Sequence, residues 1–131
     1  MSDIVAKLSG LNAFRCGTGA SDKQTKEAEQ ALSLRFAEEY AQYIVTYGYV
    51  SFFGHELTGV CKFPRLNVVD VTVSQRKVNP AVPSDWYVVE EANIDGIVVW
   101  QSSAGEIWKT APGFRPNKLC DSLCEYLGRV S

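Results

Sequence analysis

The chain has 131 residues, with 13 Lys and Arg against 15 Asp and Glu, which gives a formal net charge of −2. This length suits one domain that buries a core without disulfides or metal ions. The hydrophobic fraction of 46% excludes a disordered chain. The acidic balance argues against a nucleic-acid-binding protein, which usually carries a basic surface. We therefore predict a single globular domain over residues 1–131.

Hydropathy gives a first expectation about the compartment. The N-terminal segment has no apolar run of the length that a secretory signal requires. The longest charge-free aromatic stretch, residues 40–54, is too short to span a bilayer. We expect a soluble cytoplasmic protein that binds neither a membrane nor nucleic acid directly. In the cytoplasm the cysteines would be reduced thiols: Cys16, Cys61, Cys120 and Cys124.

The first half of the chain reads as helical. Apolar residues predict a short helix near residues 4–11, and Ser21 or Asp22 can cap a second helix that runs to about Leu32. A third helix is the clearest, because its aromatic and aliphatic residues follow a 3.6-residue period: Phe36, Tyr40, Tyr43, Ile44 and Tyr47. Gly48 is expected to end this helix.

The second half reads mainly as strands. Residues 55–60 and the alternating valines of residues 69–73 predict two strands, and prolines mark a loop near residues 77–85. A three-stranded meander is predicted from three β-rich runs joined by turns, the first turn at Asp95-Gly96: residues 86–92, 97–101 and 106–109. Residues 97–100 are apolar on both faces and predict a central strand. A last helix is predicted over residues 117–127, with Cys120 and Cys124 on one face.

This order predicts an α+β fold, with N-terminal helices and one C-terminal helix packed on a mainly antiparallel sheet. Catalytic signatures are absent from the sequence. His55 is the sole histidine and reads as a strand-edge or loop residue rather than a catalytic base. The spacing of Cys120 and Cys124 favours core thiols over a metal site. We therefore predict no catalytic residue, no metal and no cofactor.

Paired carboxylates do not change that conclusion. Glu90 and Glu91 would point to opposite faces of a strand, and they cannot act together on one substrate. Glu38 and Glu39 are expected on the solvated arc of the third helix.

Two features point to a protein partner. Tyr49, Phe52 and Phe53 follow the third helix, where they serve either as core or as partner contacts. No Lys or Arg lies between Lys77 and Lys109, a segment with five carboxylates: Asp85, Glu90, Glu91, Asp95 and Glu106. These are either the ordinary polar side of a sheet or an anionic surface for a cationic partner.

The order of several short motifs resembles the SUKH superfamily, the Smi/Knr-like domain. They cover residues 25–127 and read Ala28-Glu29-x-x-Leu32-x-Leu34, Phe36-Ala37-Glu38-Glu39-Tyr40, Tyr43-Ile44-x-x-Tyr47-Gly48, Gly54-x-Glu56-Leu57-x-Gly59, Ile94-Asp95-Gly96, Gly105-Glu106-Ile107 and Ser122-Leu123-x-x-Tyr126-Leu127. Ala37 and Ser33 stand where that family often has Pro and Gly.

The resemblance implies a binding protein and not an enzyme. Bacterial members are similar to immunity proteins that neutralise toxins, many of them nucleases, whose phosphate-binding sites are cationic. Fungal relatives regulate cell-wall synthesis through protein contacts. An immunity protein is therefore our leading hypothesis, followed by a regulatory module with an endogenous partner and by an enzyme of unrecognised type. Candidate partner contacts are Tyr49, Phe52, Phe53, Asp85, Trp86, Glu90, Glu91 and Asp95.

Overall fold

The computed structural model describes residues 4–130, and residues 1–3 and 131 of the predicted domain lie outside that range. Within it the chain forms five α-helices, which are α1 (Ile4–Ser9), α2 (Asp22–Leu32), α3 (Glu38–Tyr47), α4 (Val68–Val78) and α5 (Leu123–Val130). A single 3-10 turn, Pro64–Leu66, precedes α4. No helix of residues 4–130 combines the length and the hydrophobicity needed to cross a bilayer.

The strands form two antiparallel sheets. The smaller sheet has the order β1 (Arg15–Cys16), β2 (Val50–Phe52) and β3 (His55–Leu57). The larger sheet is a four-stranded meander of β4 (Tyr87–Glu91), β5 (Val98–Gln101), β6 (Ile107–Thr110) and β7 (Asn117–Cys120). The sheets adjoin where Thr58 donates its backbone amide to the carbonyl oxygen of Val89 at 2.9 Å. The predicted α+β class is confirmed.

Local signals determine the ends of α2 and α3. Ser21 Oγ accepts a hydrogen bond from the backbone amide of Gln24 at 3.1 Å, and Gln24 Oε1 accepts one from the Ser21 amide at 2.9 Å. This reciprocal pair is a capping box. Gly48 ends α3 with a φ of +75°, and a Cβ there would lie 2.1 Å from the carbonyl oxygen of Thr18. Both constraints require glycine at that position.

Residues 69–73 belong to helix α4, so the strand predicted there is wrong. Asn67 caps this helix, because its Oδ1 accepts a hydrogen bond from the backbone amide of Val69 at 3.0 Å. The buried residues recur at the spacing of one helix face: Val68, Val71 and Thr72. Over so short a segment, alternating valines fit both the two-residue period of a strand and the 3.6-residue period of a helix. Here the Asn67 cap and the packing of the buried face outweigh the β-propensity of valine.

The C-terminal helix is shorter than predicted. Residues 117–120 form β7, which pairs with β6 and adds a fourth strand to the predicted meander. Helix α5 starts after Ser122, whose hydroxyl oxygen accepts a hydrogen bond from the Glu125 amide at 3.0 Å. Cys120 therefore lies on a strand and Cys124 on a helix, so the two thiols do not share one helix face as predicted.

Apolar side chains cover both faces of the meander. On one face Val99 and Tyr87 join a core that includes residues of all five helices. On the other face Trp86, Val88 and Trp100 form a second cluster. All four residues of β5 are buried, which confirms the prediction of a central strand covered on both sides.

Candidate protein-binding site

The predicted contact residues do not share one surface. Three of the predicted contacts, Phe52, Trp86 and Glu90, are buried, so their side chains are not displayed to a partner in this structure. Phe53 and Asp95 are exposed, and the remainder are half-buried: Tyr49, Asp85 and Glu91.

Packing explains why two of the predicted aromatic contacts are inaccessible. Phe52 faces the core from β2 and stacks on the ring of His55, with ring centroids 5.1 Å apart. Trp86 precedes β4 and stacks on Trp108 at 5.0 Å, within the second apolar cluster. Both rings serve to hold strands together.

The carboxylates between Lys77 and Lys109 do not form a single anionic surface. Asp85 accepts a hydrogen bond from the Ser103 backbone amide at 3.3 Å, and Glu106 pairs with Lys118 at 3.1 Å. These two lie at the end of the meander that holds the β5–β6 turn, whereas Asp95 lies in the β4–β5 turn at the opposite end. Strand length therefore separates charges that are neighbours in sequence.

A cleft of about 450 Å³ opens between the β2–β3 turn and the β4–β5 turn. Three glutamates from two sheets line it, namely Glu56, Glu90 and Glu91, together with His55 and Lys109. Glu91 accepts a hydrogen bond from Gln75 Nε2 at 2.6 Å. The cleft is thus the place where the acidic segment and the small sheet bring carboxylates together.

A buried hydrogen-bonded group forms the wall of this cleft. The carboxylate of Glu90 accepts a hydrogen bond from the hydroxyl of Tyr126 at 2.5 Å, and its other oxygen lies 2.7 Å from Nδ1 of His55. Burial raises the pKa of Tyr126, and the neighbouring Glu90 carboxylate raises it further. The phenol therefore stays protonated and acts as the hydrogen-bond donor to Glu90. A buried carboxyl group needs such hydrogen-bond partners to offset the cost of its burial. This group joins β3, β4 and α5.

The two turns that flank the cleft carry exposed apolar side chains. Phe53 is 74% exposed and Ile94 is 60% exposed. Gly54, next to Phe53, and Ile94 both line the cleft. We call the pair Phe53 and Ile94 the apolar rim.

Phe53 has an unfavourable backbone conformation. Its φ is +38°, and Gly54 follows with a φ of +83°, which makes a two-residue turn between β2 and β3. Positive φ is uncommon for any residue with a side chain and is an outlier for a bulky one. An aromatic ring that packs little, at a position where glycine or asparagine would be less strained, indicates a role outside folding.

Tyr49 lies elsewhere, beside Phe63, with ring centroids 5.9 Å apart at an angle of 85°. These two residues line two further cavities on the small sheet, the first of which shares Glu56 with the cleft.

Sequence reasoning missed Ile94, His55 and Tyr126 as parts of one site. His55 and Glu90 are 35 residues apart, and Glu90 and Tyr126 are 36 residues apart. No spacing signal links residues so distant. The one clue in the sequence was the position of Ile94 beside the Asp95-Gly96 turn, since residues at turn tips usually face solvent.

The family model described as SUKH_5, SMI1-KNR4 cell-wall, matches residues 1–129. The chain belongs to the SMI1-KNR4 family. None of the curated proteins searched matches it. As an SMI1-KNR4 domain, the chain has the α+β architecture described above. Across residues 4–130 no three His, Cys, Asp or Glu side chains are grouped to hold a metal ion.

Proposed function

We propose that this chain is a non-catalytic protein-binding module that neutralises a cognate bacterial toxin by stoichiometric binding in the cytoplasm. Family membership and the motif resemblance support a protein-interaction role. The observation that carries the proposal is the apolar rim, because Phe53 is both strained and exposed. Exposed aromatic and aliphatic side chains around a concave surface are typical anchors of protein interfaces.

The chemistry of the cleft indicates which part of the toxin it accepts. Glu91 presents a carboxylate in the cleft, and Asp95 lies in the same turn as Ile94. A lysine or arginine of the toxin would enter the cleft while apolar toxin residues cover Phe53 and Ile94. A nuclease toxin fits this arrangement, since its substrate groove is cationic.

Co-expression tests the function directly. The chain is expressed in bacteria together with each toxin encoded beside its gene, and growth and complex formation are measured. Growth rescue and a stoichiometric complex are expected with one of these toxins. Absence of both rescue and complex for every such toxin would overturn the proposal.

A matched pair of variants locates the interface. Phe53→Asn removes the exposed ring, and Val78→Asn changes an equally exposed residue, also 74% exposed, at the end of α4. We expect Phe53→Asn to weaken toxin binding by about tenfold or more, as for an interface anchor, and Val78→Asn to leave it unchanged. Equal effects of the two substitutions would contradict the assignment of the rim.

Electrostatic steering gives a separate measurement. The double variant Glu91→Gln and Asp95→Asn removes two charges without a large change of shape. We expect its association rate with the toxin to fall about three- to tenfold at low salt and the difference to shrink at high salt. Glu27→Gln with Asp70→Asn, on exposed positions of α2 and α4, is the charge-matched control. An unchanged rate in the first variant would rule out a role for the cleft carboxylates.

A second candidate function is a regulatory module with an endogenous partner. The description of the matching family names the cell wall, which favours this reading. Deletion of the gene in a strain that carries none of the neighbouring toxins distinguishes the two. Altered sensitivity of that strain to agents that damage the cell wall would support the regulatory role. Unaltered sensitivity would count against that role and favour the immunity role.

A further inference from the structure

The outer face of the small sheet forms a second surface with a different character. Arg15, Ser51 and Glu56 pair directly across β1, β2 and β3, so their side chains lie on one face. The opposite face carries Val50 and Leu57, which are fully buried in the core. Arg15 is exposed, and Ser51 and Glu56 are half-buried, so this outer face is open to solvent.

Aromatic side chains border this face. Phe63 is 51% exposed and meets Tyr49 edge to face. Tyr49 and Phe63 line two cavities of about 590 and 550 Å³, which therefore adjoin at this pair. Phe14 lines the first of them. We call these two adjoining cavities the sheet groove, and their lining is partly aromatic.

The charges of the sheet groove are mainly positive. Arg15, Lys62 and Arg65 line it, against one carboxylate, that of Glu56. Arg65 forms a two-pronged ion pair with Glu56, with distances of 2.7 and 3.1 Å. Arg15 and Lys62 have no ion-pair partner within residues 4–130. This local positive charge stands out in a chain whose net charge is −2.

We propose that the sheet groove binds an acidic segment of a partner protein that also carries an aromatic side chain. Guanidinium groups bind carboxylates through paired hydrogen bonds, and Arg15 is free to form such a pair. The Tyr49–Phe63 pair offers ring faces and edges against which a partner aromatic ring packs. Glu56 also lines the cleft, but Arg15, Tyr49 and Phe63 do not, so the proposal does not depend on toxin binding there.

A protein segment suits this groove better than nucleic acid does. Glu56 lies on the same face as Arg15, and a carboxylate there repels the evenly spaced phosphates of a nucleic acid strand. A peptide can place its acidic residues opposite the arginines and an uncharged residue opposite Glu56. The overall acidity of the chain also opposes binding of a long polyanion.

Glu56 acts as an internal competitor in this arrangement. Its carboxylate forms an ion pair with the guanidinium of Arg65, and an incoming carboxylate would compete for the same guanidinium. Replacing it by the isosteric amide in Glu56→Gln removes the competing charge and keeps the shape. Binding of an acidic segment should therefore become tighter in that variant, whereas most surface substitutions weaken binding.

Fluorescence anisotropy on the full chain tests the proposal. The probe is a short labelled peptide of Asp, Glu and Phe, and its control has every acid replaced by Asn or Gln. We expect the acidic peptide to bind at micromolar to millimolar concentration and the amide peptide not to bind. Arg15→Ala should weaken binding about threefold or more, Glu56→Gln should strengthen it about threefold, and Lys77→Ala, on exposed α4, should leave it unchanged.

Several results would overturn the inference. Equal binding of the acidic and amide peptides would show that charge is not recognised. Tighter binding of a single-stranded oligothymidylate than of the acidic peptide would assign the groove to nucleic acid instead. No tightening in Glu56→Gln would contradict the role of Glu56. Arg15→Ala is expected to keep full toxin neutralisation, and its loss would contradict the independence of the two surfaces.

Discussion

Glu39 of helix α3 caps helix α5 across 84 residues of sequence, because its carboxylate accepts a hydrogen bond from the backbone amide of Leu123 at 2.5 Å. The same side chain accepts a bond from the Cys124 amide at 3.3 Å and from Gln101 Nε2 at 2.7 Å. A carboxylate at a helix N-terminus also interacts favourably with the helix dipole. One buried side chain thus connects α3, β5 and α5.

Removal of this carboxylate should be costly. Glu39→Ala leaves the buried amide of Leu123 and the half-buried amide of Cys124 without an acceptor, so we expect a loss of about 3 kcal/mol in the free energy of unfolding. Glu39→Gln keeps an acceptor oxygen and should lose less. Urea denaturation followed by tryptophan fluorescence measures both. Glu38→Ala, on the exposed neighbour, is the control and should change stability by less than about 0.5 kcal/mol. Similar losses for the two alanine variants would contradict the capping role.

Glu39 also illustrates what local sequence patterns can predict. Periodicity predicted helix α3 and its end at Gly48, and it placed Glu38 in solvent, all of which the structure confirms. The same periodicity placed Glu39 in solvent, which is wrong, because its partners are on elements that meet α3 only in the folded chain. Contacts across many residues leave no periodic signal.

The candidate site was predictable to a similar extent. The Asp95-Gly96 pair indicated the β4–β5 turn, and the aromatic run drew attention to Phe53. The exposure of Phe53 depends on a strained two-residue turn, and the wall of the cleft depends on the pairing of Glu90 with His55. Both arise from tertiary packing. Packing also favours a helix at residues 69–73, where the sequence pattern predicted a strand.

The Tyr126 hydroxyl should stabilise the fold through Glu90. Tyr126→Phe removes a donor from a buried carboxylate, and we expect a loss of about 2 kcal/mol in the free energy of unfolding. Tyr47→Phe is the matched control, since the Tyr47 hydroxyl makes one long hydrogen bond of 3.3 Å to the carbonyl oxygen of Val5. Thermal and urea unfolding of both variants provide the comparison. If Tyr126→Phe is no more destabilising than Tyr47→Phe, Glu90 does not need this donor.

Thiol reactivity should differ between strands of the two sheets. Burial raises the pKa of the Cys120 thiol, so less of its reactive thiolate is present at any mildly alkaline pH. Cys16 is exposed on the outer strand of the small sheet. We expect iodoacetamide to label Cys16 about tenfold or more faster than Cys120 in the native protein. Peptide mapping by mass spectrometry gives the two rates, and denaturant should abolish the difference. Equal native rates would contradict the burial of Cys120.

The backbone strain at Phe53 predicts that some substitutions of this residue stabilise the fold while they weaken toxin binding. Because its φ is +38°, replacement by glycine or asparagine should relieve an unfavourable backbone conformation. We expect Phe53→Gly and Phe53→Asn to raise the free energy of unfolding by about 0.5–1 kcal/mol, while toxin binding falls. Phe53→Ala, which keeps a Cβ and the strain, should lose binding without that gain. If all three variants were destabilised, Phe53 would be a packing residue. The opposite signs of the stability and binding effects are therefore the specific signature of a side chain retained for a partner.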